Sequence, residues 1–236
     1  MLKNLVIIPC RKNSKRIKNK NKIKFGNSRL FERTIKIAKN LKFQKSIFLD
    51  SDDSFYKKYT KKYDINFNLR PKNLALEKTK TIDVVLNLIK KLENKKKFFD
   101  NVILLQTTSP FRKGKDIEKA YKQFVNSNLN SIVSVCHTTF KNNQIIFENL
   151  KKKTIQKKII KKKILLINGA IYISRVDYLK KNKKFYGGKK CSYYVMKQSL
   201  SMDLDTEFDL YLANKMLADE NKLGKFDILG NIKKIK

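Results

Sequence analysis

The sequence has no tryptophan and a single histidine, His137, which excludes catalytic histidine pairs and metal centres built from several histidines. Cysteine is nearly as scarce. Cys10, Cys136 and Cys191 are odd in number, widely separated and free of any C-x-x-C pair, so neither a disulfide framework nor a zinc site is expected. Glycine occurs seven times and proline three times, too few for a low-complexity chain. No glycine precedes Gly26, so the opening loop is not a G-x-x-x-x-G-K-[ST] phosphate loop. No apolar run approaches the roughly 18 residues that span a bilayer, and the opening MLKNLVIIPC is too short an apolar stretch for a signal peptide. The expectation is a cytoplasmic protein with no membrane association.

Acidic residues are also few, 20 against 56 lysines and arginines, giving a formal charge of +36. Arginine stands only at positions 11, 16, 29, 33, 70, 112 and 175, so the excess is lysine. A charge of that size attracts polyanions in general, which keeps nucleic acid, nucleotides and acidic sugars in view. The lysines are spread along the whole chain, however, as a compositional bias filling solvated positions would spread them. There is no RNP-type aromatic motif, zinc finger or helix-turn-helix signature, and no specific nucleic-acid partner is expected.

What is present is enough apolar material, 41% of 236 residues, for one substantial core. Short apolar runs alternate with helix-period stretches, the pattern of an α/β protein with an open, mostly parallel twisted sheet and helices on both faces. Strands are predicted at 5–10, 46–50, 65–69, 102–106, 131–136, 168–174, 192–196 and 226–229, and helices at 29–41, 79–92, 115–127 and 206–220, with a further helix around Phe55, Tyr56 and Tyr59. Residues 138–166 break the regularity with strand-like pieces around a lysine-dense middle. They read as a small β excursion, a hairpin or arm used in self-association, within a single domain covering 1–236.

The loop Pro9-Cys10-Arg11-Lys12-Asn13-Ser14-Lys15-Arg16, continuing to Lys20-Asn21, follows the first strand, where open α/β sheets bind ligands. Its basic heads and successive backbone N–H groups suit a triphosphate, although a basic loop in a lysine-rich chain is weak by itself. Asp203 and Asp205 stand two apart, so on a strand they share one face, and two carboxylates on one face suit Mg²⁺. Asp205 or Thr206 is equally suited to cap the final helix. Gln106 ends a central strand, Asn168 precedes Gly169 in what reads as a turn, and Arg70 before Pro71 is placed either to meet a ligand or to brace the chain. His137 reads as structural, and Cys10 as a small buried strand-end residue.

Five ordered segments, IIPCRKNSKRIKNKN, RPKNLA, LLQTTSPFR, NGAIYI and SMDLDTEFDL, resemble the CMP-N-acylneuraminate synthetases, cytidylyltransferases acting on acidic nine-carbon sugars. The resemblance implies a nucleotide-diphospho-sugar transferase-like, Rossmann-like fold, transfer of CMP from CTP to an acidic 2-keto-3-deoxy sugar with release of pyrophosphate, Mg²⁺ as cofactor, and a homodimer. By the same resemblance Arg11 and Lys20 hold the CTP phosphates, with Lys20 at the α-phosphate. Ser14, Asn21, Arg70 and Thr81 contact nucleotide, Gln106 and Asn168 lie near the sugar, and Asp203 and Asp205 ligate the metal. Thr107 stands where the family usually has proline, and Leu165-Leu166-Ile167 where it commonly has an arginine suited to the sugar carboxylate. The choice among N-acetylneuraminic, legionaminic, pseudaminic and shorter 3-deoxy acids is left open, with Lys163 as a substitute cation. Two other readings compete: a glycosyltransferase binding its metal through Asp50-Ser51-Asp52, and a basic RNA-binding protein.

Overall fold

The structure, a computed structural model, describes residues 1–138, 147–149, 154–156 and 164–218. Its centre is β1 (Asn4–Pro9), whose Leu5, Val6, Ile7 and Ile8 are all fully buried. A strand covered on both faces has no need of polar alternation, which explains the unbroken apolar run. Leu5 and Ile7 pack with the stripe Ile82, Val85, Leu88, Ile89 and Leu92 of α3 (Thr81–Glu93) and with Val176 and Leu179 of α5 (Val176–Asn182). Val6 and Ile8 face the other way, toward α1 (Leu30–Lys39), α4 (Gly114–Asn126) and Ala213 of α6 (Glu207–Ala218). Each leucine or isoleucine buried in these layers is worth about 1.5–3 kcal/mol relative to exposure.

The sheet also contains β4 (Lys45–Ser51), β5 (Asn66–Leu69), β6 (Asn101–Leu104), β7 (Ser131–His137), β10 (Leu165–Arg175) and β11 (Cys191–Val195), in the order β11-β7-β10-β6-β1-β4-β5. Every neighbouring pair is parallel except those of β10, which runs antiparallel to both β6 and β7. β10 follows the 138–166 excursion and runs back along β7, and an antiparallel neighbour, unlike a parallel one, requires no crossover connection. A short pair, β2 (Lys24–Phe25) with β3 (Ser28–Arg29), precedes α1, and α2 (Lys57–Tyr63) lies between β4 and β5.

The mostly parallel sheet with helices on both faces matches the sequence expectation, and the shared elements agree within three residues at each end. Helix α5 was not anticipated. Of the excursion, the described parts are β8 (Phe147–Asn149) and β9 (Thr154–Gln156), paired antiparallel as in a hairpin. Lys163, the rest of the lysine-dense segment and the strand predicted at 226–229 lie outside the described residues. Residues 201–205, whose two aspartates would share a face on a strand, have no regular secondary structure. A ladder-like bond, Leu204 N–H to the Thr108 carbonyl at 2.8 Å, helps to hold them.

Candidate active site

The loops after β1, β5 and β6 open on the carboxyl side of the sheet and enclose a cleft of about 620 Å³. Arg11, Ser14, Lys20 and Asn21 line it from the first loop, Arg70 from just after β5, Thr81 from the first turn of α3, Gln106 from beyond β6, and Asp203 and Asp205 from the segment before α6. The sequence-predicted residues therefore converge on one site, with the exception of Asn168. A larger groove of about 760 Å³ lies at the other end of the sheet, lined by Phe99, Asn101, Phe124 and Arg175 among others, and contains none of them.

The first loop takes its shape without glycine. Asn19 supplies a left-handed turn at φ 54°, a conformation that asparagine tolerates better than most residues. Buried Asn21 donates to the Arg11 carbonyl at 2.9 Å and accepts from Thr107 Oγ1, tying the first loop to the turn after β6. Arg11 donates through Nε to the Asn13 carbonyl at 2.7 Å and through Nη1 to the Leu76 carbonyl at 3.2 Å. The β4 end holds the same loop: Cys10 N–H reaches the Asp50 carbonyl, Ser51 Oγ donates to the Cys10 carbonyl, and Lys12 N–H reaches Asp52 Oδ1 at 2.8 Å. Cys10 itself is fully buried, and burial pushes its thiol well above the ordinary range, which makes it inert.

Those contacts remove the D-x-D reading of Asp50-Ser51-Asp52. The Asp50 carboxylate is buried against Arg70 and Asn68, Ser51 is bonded to Cys10, and Asp52 receives a backbone N–H, so the two acids do not meet on one open face.

Asp203 and Asp205 do meet on one. The alternation expected of a strand survives without the strand: Leu204 is fully buried and Met202 packs against the core, while Asp203 and Asp205 turn to the cleft. Helix capping does not claim Asp205. Thr206 Oγ1 accepts from Asp209 N–H at 3.2 Å, and Asp209 Oδ2 receives the N–H groups of Thr206 at 2.6 Å and Asp205 at 3.0 Å, a reciprocal cap made without the Asp205 carboxylate. That carboxylate pairs instead with Arg16, 2.9 Å from Oδ2, and with Lys20, 3.3 Å from Oδ1. Lys20 also donates to the Leu204 carbonyl, so its ammonium is fixed against the acidic segment. At Asp203, desolvation by the cleft walls raises the carboxyl pKa above its ordinary value, a hydrogen bond from Thr108 opposes the rise, and the neighbouring Asp205 charge adds to it. A carboxylate pushed up in this way gains from a nearby cation.

The donor set fits a hard divalent ion. Among the described residues no cluster of three or more metal-ligating side chains occurs, and two carboxylates beside an open cleft match Mg²⁺, which takes one or two from protein and completes its shell with water and phosphate.

Asn168, expected near the sugar, does not line the cleft. Its side chain is buried, donating to Ser201 Oγ at 2.8 Å and accepting from Ser134 Oγ at 2.6 Å and from Ala170 N–H at 3.2 Å. It therefore shapes the bulge where the β10–β7 register shifts instead of facing the cleft. The cleft is approached by the next residue, Gly169, at φ +72°, where a Cβ would stand 3.0 Å from Gln106 Oε1. Asn168→Ala is expected to destabilise the fold by about 1–3 kcal/mol through stranded polar partners, measured by chemical denaturation, while leaving the folded enzyme's Michaelis constants within about twofold of the native values. The sequence reading also passed over Arg16 and Thr108 as site residues. Arg16 was visible only as one more basic residue in the loop, and Thr108 became assignable only once Leu204 was seen to dock on its carbonyl.

A family model described as cytidylyltransferase matches residues 5–233. CMP-N,N'-diacetyllegionaminic acid synthase of Legionella pneumophila is 29% identical over 90% of this chain and 95% of its own length. N-acylneuraminate cytidylyltransferase of Escherichia coli is 28% identical over 97% of this chain, which spans 55% of that longer protein. Among solved structures, a CMP:2-keto-3-deoxy-manno-octonic acid synthetase complexed with CTP superposes with a TM-score of 0.68 at 14% identity, covering 92% of this chain and 99% of that one. A 4-diphosphocytidyl-2C-methyl-D-erythritol synthase gives 0.69 at 11%, covering 93% and 100%. By the breadth of the family match, the chain is a member of the cytidylyltransferase family.

Proposed function

We propose that this chain transfers CMP from CTP to the anomeric hydroxyl of an acidic nonulosonic sugar of the sialic, legionaminic or pseudaminic type. The observation that carries the reading is the meeting, in one cleft, of the cations Arg11, Lys20 and Arg70 with the carboxylates Asp203 and Asp205. The sugar hydroxyl oxygen attacks the α-phosphorus in line. The bond to the β-phosphate oxygen breaks, pyrophosphate leaves and the hydroxyl proton is released. Positioning and charge neutralisation do most of the work in such a transfer.

Asp203 and Asp205 would hold a Mg²⁺ ion, which supplies positive charge to the triphosphate. Arg11 and Lys20 bind phosphate oxygens, and Lys20 meets the charge that develops on the α-phosphate. Ser14 and Asn21 shape the phosphate loop, Arg70 and Thr81 contact the nucleotide, and Gln106, just beyond β6 and beside Gly169, orients the sugar. The protein works in the cytoplasm as a homodimer on CTP and a 2-keto-3-deoxy acid. No helix among the described residues is long and apolar enough to cross a membrane.

The discriminating experiment supplies CTP, Mg²⁺ and each of a panel of acidic 2-keto-3-deoxy sugars, and identifies products by mass. The reading requires a CMP-sugar adduct with at least one nine-carbon acid. An adduct only with an eight-carbon acid would move the substrate class, and none with any acid would sink the proposal.

A further inference from the structure

Asp50 lies outside the cleft, yet its carboxylate pairs with Arg70, a residue that lines it. It is the penultimate residue of β4, opposite Asn68 of β5, its register partner, and is 1% exposed. Arg70, 6% exposed, donates through Nε to Asp50 Oδ1 and through Nη2 to the Asp50 carbonyl at 3.2 Å, which also receives Cys10 N–H at 2.8 Å. The second carboxylate oxygen accepts from the Asn68 amide nitrogen. Lys91 of α3 donates to Asn68 Oδ1 at 2.9 Å, so the amide can present only its nitrogen to Asp50. The guanidinium is thus clamped along one edge while Arg70 contributes to the cleft wall.

A buried ion pair is seldom the most stabilising way to fill a core, since apolar side chains of similar volume often do as well. What the pair does supply is a fixed direction for a cation. We infer that Asp50 is a positioning residue for CTP, holding the Arg70 guanidinium in the one orientation that meets the nucleotide, with Asn68 and Lys91 fixing Asp50 in turn. This rests on the reading of the cleft as a CTP site.

The test is a double-mutant cycle on CTP affinity, measured by calorimetry with Asp50→Asn, Arg70→Met and the double variant. Thermal melts identify any variant that does not fold. Asp50→Asn is expected to weaken CTP binding about tenfold in the native background, the loss of one oriented charge-assisted contact. In the Arg70→Met background it should add less than about twofold, because the residue through which it acts is gone. In turnover the same substitution raises KM for CTP and leaves kcat within about twofold. Asn68→Ala, a milder change, should show a smaller loss that also vanishes beside Arg70→Met, and it carries the test if Asp50→Asn does not fold. Equal losses in both backgrounds, or CTP affinity unchanged in the native one, would overturn the inference. A native protein that binds no CTP would instead refute the CTP reading of the cleft, and the inference with it.

Discussion

Asp203→Ala is expected to lower pyrophosphate release by about a thousandfold, because metal-borne charge stabilisation of phosphoryl oxygens is worth several kcal/mol and each 1.36 kcal/mol is tenfold in rate. The side chain is open to the cleft and its pKa is raised by desolvation and by Asp205, so the ionised form is held at a cost that a bound cation removes. The variant should fold as well as the native protein, since Leu204, which anchors the segment, is untouched. Its Mg²⁺ affinity, read by calorimetry in the presence of CTP, should fall together with the rate. A variant that retains native turnover at saturating Mg²⁺ would remove Asp203 from the metal site. If it loses activity but keeps native Mg²⁺ affinity, Asp203 acts on something other than the ion.

The second large effect is expected at Lys20. Lys20→Met should lower kcat by about two to three orders of magnitude, the range seen when a preorganised donor to developing charge is removed. Its side chain is 13% exposed and bonded to the Leu204 carbonyl, with Asp205 Oδ1 at 3.3 Å, so the ammonium is held in place before substrate arrives. Arg16 also sits on Asp205, at 2.9 Å, but its side chain is 65% exposed. An exposed ion pair of that kind contributes little, and Arg16→Ala should change kcat by less than about threefold. Steady-state kinetics on both variants check the contrast: equal losses would mean that the two cations share the role assigned here to Lys20.

The site was more legible in the sequence than the fold's direction was. Loops at the carboxyl ends of strands carry ligands in open α/β sheets, so strand boundaries pointed to the loop of Arg11 and Lys20 and to Gln106, while the resemblance of the surrounding segments was needed to single out Arg11, Lys20 and Arg70. The reversal of β10 could not, because an apolar run such as NGAIYIS reads the same in either direction; the topology after the excursion decides it. The Asp203 and Asp205 pair was found for a partly mistaken reason. Period-two alternation set them on one face, but the backbone bond from Leu204 to Thr108, with Leu204 buried between the two acids, accompanies that alternation where no ladder exists. Asn168 misled because a polar residue before glycine in a ligand-rich region looks like a contact. Its partners, Ser134 and Ser201, are more than thirty residues away in sequence. The same holds for Asp50, whose D-x-D context suggested metal binding until Arg70 and Asn68 were seen to enclose it.

Stoichiometry tests the central claim most directly: with CTP, Mg²⁺ and the sugar that turns over, pyrophosphate, CMP-sugar and consumed CTP are measured in one reaction. The account predicts equal amounts of all three, and no pyrophosphate when the sugar is omitted. Pyrophosphate release without sugar, or CTP bound and never consumed with any acidic sugar, would contradict it.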